Sequence, residues 1–214
     1  DEICITVNKG HRFATEFGLR PRYHAAVDAI HLSPEFIPVY GEWEAFQRET
    51  NATFLLSVEL ADRLRTQGLS VANYEVKQYL ISIYFDRLRR LVPLDLRFVQ
   101  PGYVSVIHFA IIAALYMGFR KIYLLGCDMD FFLNPNEPLT HSYDTGQENI
   151  PAATSGELFG WDQVDLLKWA HVEFRSFKQL GELARKQDSH IANAGKGGCL
   201  NVFAREPLES IFGG

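Results

Sequence analysis

Two carboxylates, Asp128 and Asp130, stand one residue apart just after the clearest strand-like run of the chain, Lys121–Leu125, which closes in Gly126. At a strand's mouth such a pair can hold Mg2+ or Mn2+ bridging the phosphates of a nucleotide. On extended backbone, alternation aims both side chains the same way and suits a shared ion; where the chain turns, one of them only caps the loop. Further on, His141-Ser142-Tyr143-Asp144-Thr145 offers an imidazole that titrates near neutrality and a phenol. These can give general acid or base help to a departing phosphate or an incoming hydroxyl. An exposed loop histidine without that role is the plainer alternative.

Phosphate needs donors. Gly102 precedes a helical run whose first turn carries Ser105, and a helix N-terminus presents backbone N–H groups and a positive dipole to an anion. No GxGxxG or GxxxxGK[ST] signature is present, so a turn glycine and a capping serine explain the same residues. Gly195-Lys196-Gly197-Gly198 follows the last expected strand. Its backbone can approach a ligand closely and Lys196 can reach phosphate, although glycines there also simply make turns.

Ligands of an open parallel α/β sheet lie outside the carboxyl ends of its strands. That rule adds Asn8, Asp28, Ser57 and Gly126 to Gly102, Ser105, Asp128 and Lys196 as nucleotide-binding candidates. Asn after a strand is equally a turn or N-cap residue. His108, inside an apolar helix, reads as a satisfied core histidine; His11, His24, His31, His171 and His190 show no ligand spacing. Trp43, Trp161 and Trp169 read as packing residues.

The elements that must position these residues alternate along the chain. Ile3–Val7 is expected as a strand, Lys9–Phe17 as a helix closed by Gly18, and Tyr23–Val27 as a second strand. Pro34 opens a helix reaching about Phe46, Thr53–Ser57 is a third strand, and Val58–Gln67 a helix stopped by Gly68. Residues 69–100 mix aromatics with arginines and read as a helical insertion or lid. A helix from about Tyr103 to Met117 ends at Gly118, before the strand Lys121–Leu125. Residues 134–160 hold three prolines and little periodicity, the mark of a long functional or disordered loop. A helix over about Val164–Lys186 and a strand Ser189–Ala192 complete the pattern.

With 214 residues, 47% of them apolar and 16 of them Phe, the chain can bury a sizeable core, which excludes a disordered segment or a disulfide miniprotein. Its 21 basic and 26 acidic residues leave a net charge of −5, so the broad basic field of a nucleic-acid-binding protein is missing. The most apolar run, Val104–Met117, is broken by Ser105 and His108 and falls short of the roughly 20 residues that span a bilayer. No transmembrane segment is expected, and peripheral membrane association is left open. Cys4, Cys127 and Cys199 are odd in number and widely spaced, which fits a reducing, cytoplasmic setting. The chain opens directly in a strand without a leading basic segment, so no signal peptide is expected.

The order of these pieces carries a resemblance. Val7-Asn8 closes the first strand; Ser105-Val106 leads a helix ending in Met117-Gly118-Phe119. Lys121-Ile-Tyr-Leu-Leu-Gly-Cys-Asp128, His141-Ser-Tyr-Asp144 and Asn193-Ala-Gly-Lys-Gly-Gly198 follow. The series resembles the bacterial 6-hydroxymethylpterin diphosphokinase MptE-like domain and, more distantly, the bacterial sialyltransferases of glycosyltransferase family 42. It covers nearly the whole chain and is strongest over residues 102–145.

The resemblance implies one Rossmann-like α/β domain over 1–214, a mostly parallel sheet with helices on both faces and a helical insertion or lid. It also implies a first strand and phosphate loop preceding residue 1, since the usual Gly-x-Gly-Pro-Ser loop is missing. It puts Asn8 on a nucleotide donor and Ser105 near its phosphate. Where the sialyltransferases use two tyrosines around the leaving phosphate, this chain has Asp130 and His141, and where they place a general-base histidine, Asp162 stands before the last long helix.

The expected function is a nucleotide-sugar-dependent glycosyltransferase of bacterial surface-polysaccharide or protein glycosylation, acting on a glycan or small-molecule acceptor, with His141, Asp130 and Asp162 catalytic. A Mg2+-dependent pyrophosphoryl transfer from ATP to 6-hydroxymethylpterin and a non-catalytic binding module are the alternatives. Sequence does not fix the oligomeric state.

Overall fold

The computed structural model describes residues 2–27, 32, 34, 37–69, 73–76, 95–96, 105–133 and 162–212. Ile5–Val7, three β-branched residues suited to a pleated surface, form β1, and the chain then runs through α1 (Gly10–Glu16), β2 (Tyr23–Ala26), α2 (Ile37–Thr50), β3 (Thr53–Ser57), α3 (Val58–Thr66) and β4 (Asn73–Val76). The four strands are parallel in the order β1-β2-β3-β4, with Val7 opposite Ala25, Ala26 opposite Leu56 and Ser57 opposite Val76.

Consecutive parallel neighbours joined by right-handed crossovers put the connecting helices on one face of the sheet. The core shows it. Ala14 of α1, Tyr40, Trp43 and Phe46 of α2, and Leu60 and Leu64 of α3 share one buried cluster with Ala26, Phe54 and Leu56. Alternation sends Ala25 and Leu55 to the opposite face, where both are also buried. The helix α4 (Val106–Tyr116) packs against β1 and β2 and contributes no side chain to the first cluster.

The chain divides into two compact units, Asp1–Tyr116 and Met117–Gly214. In the second, β5 (Lys121–Leu124), β6 (His190–Asn193) and β7 (Ala204–Arg205) form a parallel sheet in that order, and α6 (Leu208–Phe212) follows. Between β5 and β6 lies α5 (Gln163–Lys186), which packs on β6. It buries Leu166, Ala170, Phe177, Leu180 and Ala184, the stripe of an amphipathic helix. The fold is therefore α/β with parallel strands and alternating helices, its described strands lying in a four-stranded and a three-stranded sheet.

Several boundaries differ from the expectation for identifiable reasons. The helix expected from Pro34 is described over Ile37–Thr50, where Pro38 gives up one backbone N–H. It runs to Thr50 because the stop is Asn51 in the left-handed region, φ 58, and not a glycine. A strand, Asn73–Val76, occupies part of the stretch read as insertion or lid; most of 69–100 and all of 134–160 lie outside the described residues. β7, two residues long, is too short for any periodicity to announce. Gly118 does end α4, at φ 85. Among the described residues no helix is long and apolar enough to cross a membrane.

Ser57 joins β3 to α3 and its Oγ accepts the N–H of Leu60 at 3.3 Å. Losing this cap in Ser57→Ala should cost about 1 kcal/mol in urea unfolding. Phe54→Ala, which empties a fully buried site, should cost about 3–5 kcal/mol.

Candidate functional site

Parallel register brings Asn8 and Ser57 to one edge of the first sheet, its carboxyl rim. Asn8 turns the chain out of β1 in the left-handed region, φ 48, while its N–H extends the ladder to the Ala25 carbonyl at 2.9 Å. Asp28, Gly102 and His141 lie outside the described residues. Ser57 is buried and capping α3. Ser105 precedes α4, and both its N–H and its Oγ lie on Nδ1 of His108, at 3.2 and 3.1 Å. The ring reaches back to the N–H of the residue before the helix, the return half of a capping box, with an imidazole in place of a carboxylate. The hydroxyl expected at a phosphate is engaged by its own helix, and His108 is a satisfied, buried histidine as its apolar setting implied.

Beneath the Asn8 turn lies a polar cluster that sequence reading passed over. The His11 ring, 2% exposed, places Nε2 2.8 Å from Oε2 of Glu42, and Glu42 also takes a two-pronged grip from Arg12 Nε and Nη2, each at 2.8 Å. Trp43 Nε1 donates to His11 Nδ1 at 3.2 Å. An indole N–H only donates, so Nδ1 is an acceptor and the proton sits on Nε2, facing the carboxylate. His24 lies edge-on to His11 at 5.7 Å between ring centroids and bonds Thr6 Oγ1 through Nδ1 at 2.9 Å.

Burial pushes the His11 imidazole below its ordinary pKa, against the raising effect of Glu42. Partial burial would lift the Glu42 carboxyl, but the hydrogen bonds from Arg12 and His11 outweigh it and hold the group below the usual range. The His11–Glu42 contact spans 31 residues, and only the packing of α1 on α2 brings the pair together. No local spacing reports it.

In the second unit, Asp128 and Asp130 are both exposed and do not continue β5. Met129 between them is left-handed, φ 54, which breaks the alternation that would have aimed both carboxylates at a shared ion. Among the described residues no group of three or more His, Cys, Asp and Glu side chains is placed to hold a metal. A Mg2+ brought by a nucleotide needs only one or two carboxylates beside the phosphates, and Asp128 or Asp130 can supply one. Cys127 is buried, and desolvation, with help from Asp128, pushes its thiol up to about 12, so it is a packing residue and not a nucleophile.

What Asp128 does meet is the glycine loop after β6. Its carbonyl accepts the N–H groups of Cys199 at 2.6 Å and Leu200 at 3.2 Å. Gly198 sits at φ 79, and a Cβ there would overlap the Asp128 backbone. The buried Asn193 side chain ties the loop's two ends, accepting from Gly195 N at 2.9 Å and donating to the Leu200 carbonyl at 2.8 Å. From β7, the Arg205 guanidinium donates to the carbonyls of Gly195 at 3.0 Å and Gly198 at 2.8 Å.

With the loop fixed this way, the exposed amides of Lys196, Gly197 and Gly198 meet no acceptor among the described residues. The Lys196 ammonium lies 3.1 Å from Glu209, both well exposed. Gly126 is an exposed turn glycine, φ 66. Asp162, proposed as a base on the resemblance, is the N-cap of α5, its carboxylate accepting from Asp165 N at 2.9 Å.

Comparison with protein-family models, with curated proteins and with solved structures finds no match to this chain.

Gly198→Ala must displace the Asp128 backbone and adopt a left-handed conformation that alone costs roughly 1–2 kcal/mol, so its total destabilisation should exceed about 2 kcal/mol in chemical denaturation. Gly197→Ala, which meets open space, should stay within about 1 kcal/mol of the unchanged protein. For His11, the folded chain holds the proton less tightly than the unfolded chain. Its stabilising contribution is therefore complete above about pH 6.5 and is lost as pH falls through the folded value. The drop in stability from about pH 7 to about pH 5 should be smaller in His11→Gln than in the unchanged protein.

Proposed function

We propose that this chain is a nucleotide-dependent group transferase that seats the phosphate of its donor on the glycine loop after β6, with a nucleotide sugar as donor. One observation carries the reading. Three successive exposed amides, at Lys196, Gly197 and Gly198, stand without an acceptor among the described residues on a loop locked against Asp128. Successive backbone N–H groups of this kind favour an anion, and the loop sits outside the carboxyl ends of β5 and β6, where parallel α/β sheets take their ligands.

Lys196 adds a positive charge that an exposed ion pair with Glu209 shares, and Asp128 supplies an acceptor for a donor hydroxyl or a ligand for a cation travelling with the phosphates. The main catalytic contribution expected of such a rim is stabilisation of charge on the departing phosphate. Sugar as the transferred group rests on the distant resemblance of the motif order to the sialyltransferases, and bacterial glycan or protein glycosylation is the setting that this resemblance suggests.

The test is a thermal-shift screen of CMP-, UDP-, GDP- and ADP-linked sugars and of ATP, with and without Mg2+. At a hundred times its dissociation constant, a bound donor should stabilise the fold by about 2.7 kcal/mol, and Lys196→Ala should reduce the shift. If no nucleotide sugar raises the melting temperature, the proposal fails. Turnover of ATP with release of AMP in place of sugar transfer would replace it with pyrophosphoryl transfer.

A further inference from the structure

His11 Nδ1 has two neighbours that make opposite demands on it. Trp43 Nε1, 3.2 Å away, is a donor and needs a bare nitrogen; the main-chain carbonyl of Asn8, 3.3 Å away, is an acceptor and needs an N–H. One nitrogen cannot satisfy both. The other nitrogen is committed in either state, because Nε2–H points at Glu42, itself gripped by Arg12. Adding a proton to His11 can therefore change only the Nδ1 side: the bond from Trp43 breaks and one to the Asn8 carbonyl forms.

We infer that His11 is a proton-operated latch on the turn that follows β1. In the neutral state the ring is tied to α2 through Trp43. In the protonated state it is tied to the Asn8 peptide, and the turn is drawn onto the N-terminal part of α1. Asn8 is the place where such a tie has leverage: it sits in the left-handed region, φ 48, at the carboxyl rim of the sheet, between the last ladder bond of β1 and the first turn of α1.

Among the described residues, the ionisable groups that face the ring are Glu42 from α2, His24 from β2 and Arg12 from its own helix. Glu42 favours the added proton and Arg12 opposes it; a proton on His24 would oppose it too. Glu42 bonds both the Arg12 guanidinium and the His11 ring, so protonation gives a charged ring a carboxylate partner that is already in place. The inference concerns the first unit alone and stands apart from the donor seat on the second.

Nitrogen-15 NMR of the unmodified chain across a pH titration decides it. At neutral pH the His11 ring should show its proton on Nε2. As the ring titrates, the Trp43 indole N–H signal and the Asn8 carbonyl carbon should move with the same midpoint. Trp43→Phe removes the competing donor and should raise the proton affinity of His11 about tenfold. A proton found on Nδ1 at neutral pH, or a Trp43 indole signal that stays still while His11 titrates, overturns the latch.

Discussion

The main chain of Gly198 rests on the main chain of Asp128 with no room for a side chain between them. Backbones approach this closely only where one partner lacks a Cβ and can take a positive φ, and both conditions meet at Gly198, φ 79. The contact is fastened by two N–H groups on one carbonyl, those of Cys199 and Leu200 on Asp128. Everything distinctive about the second unit's rim follows. The loop's carbonyls at 195 and 198 are taken by Arg205 and its entry and exit by Asn193, while the amides of Lys196, Gly197 and Gly198 meet no acceptor among the described residues. A loop fastened by its own backbone and by two side chains has already spent much of its ordering entropy on folding, which is the property that the proposed phosphate seat requires.

The first unit solves a different problem. The layer between its sheet and α1 and α2 holds His11 of α1 and His24 of β2 beside Ala26, Phe54 and Leu56, and polar rings in such a place need partners or destabilise the fold. The partners include Glu42 and Trp43 from α2 and Thr6 from β1, and Arg12 of α1 in turn holds Glu42. Aromatic edges complete the packing, with Phe54 and Phe46 4.7 and 5.8 Å from the His24 ring. The same enclosure that satisfies His11 also leaves its Nδ1 poised between two partners, so a stabilising network and a titratable contact are one set of atoms.

The alternation of strands and helices was legible because each element carries its own signal. Thr53–Ser57 is a β-branched threonine and three apolar residues ended by a capping serine, α5 shows an apolar stripe, and α4 stops at Gly118. A boundary failed where the stop was an Asn, at the end of α2. The glycine loop and Asp128 were both recognised as rim residues. Their contact was not, since nothing in a sequence states that residues 128 and 198 touch. The His11–Glu42–Trp43 cluster was missed for the same reason, with the added difficulty that a tryptophan and a histidine on apolar faces look like packing alone. Asp128 and Asp130 show the reverse case: a spacing that suits a metal on extended backbone loses that meaning once Met129 turns left-handed.

The central claim is that the amides of Lys196, Gly197 and Gly198 are a seat for a phosphate group. Amide chemical-shift mapping of the isotopically labelled protein during titration with a nucleotide diphosphate sugar tests it most directly. The account predicts saturable shifts of those three amides, with Asp128 moving alongside them. Saturable binding that leaves all three unmoved while amides elsewhere shift would contradict it.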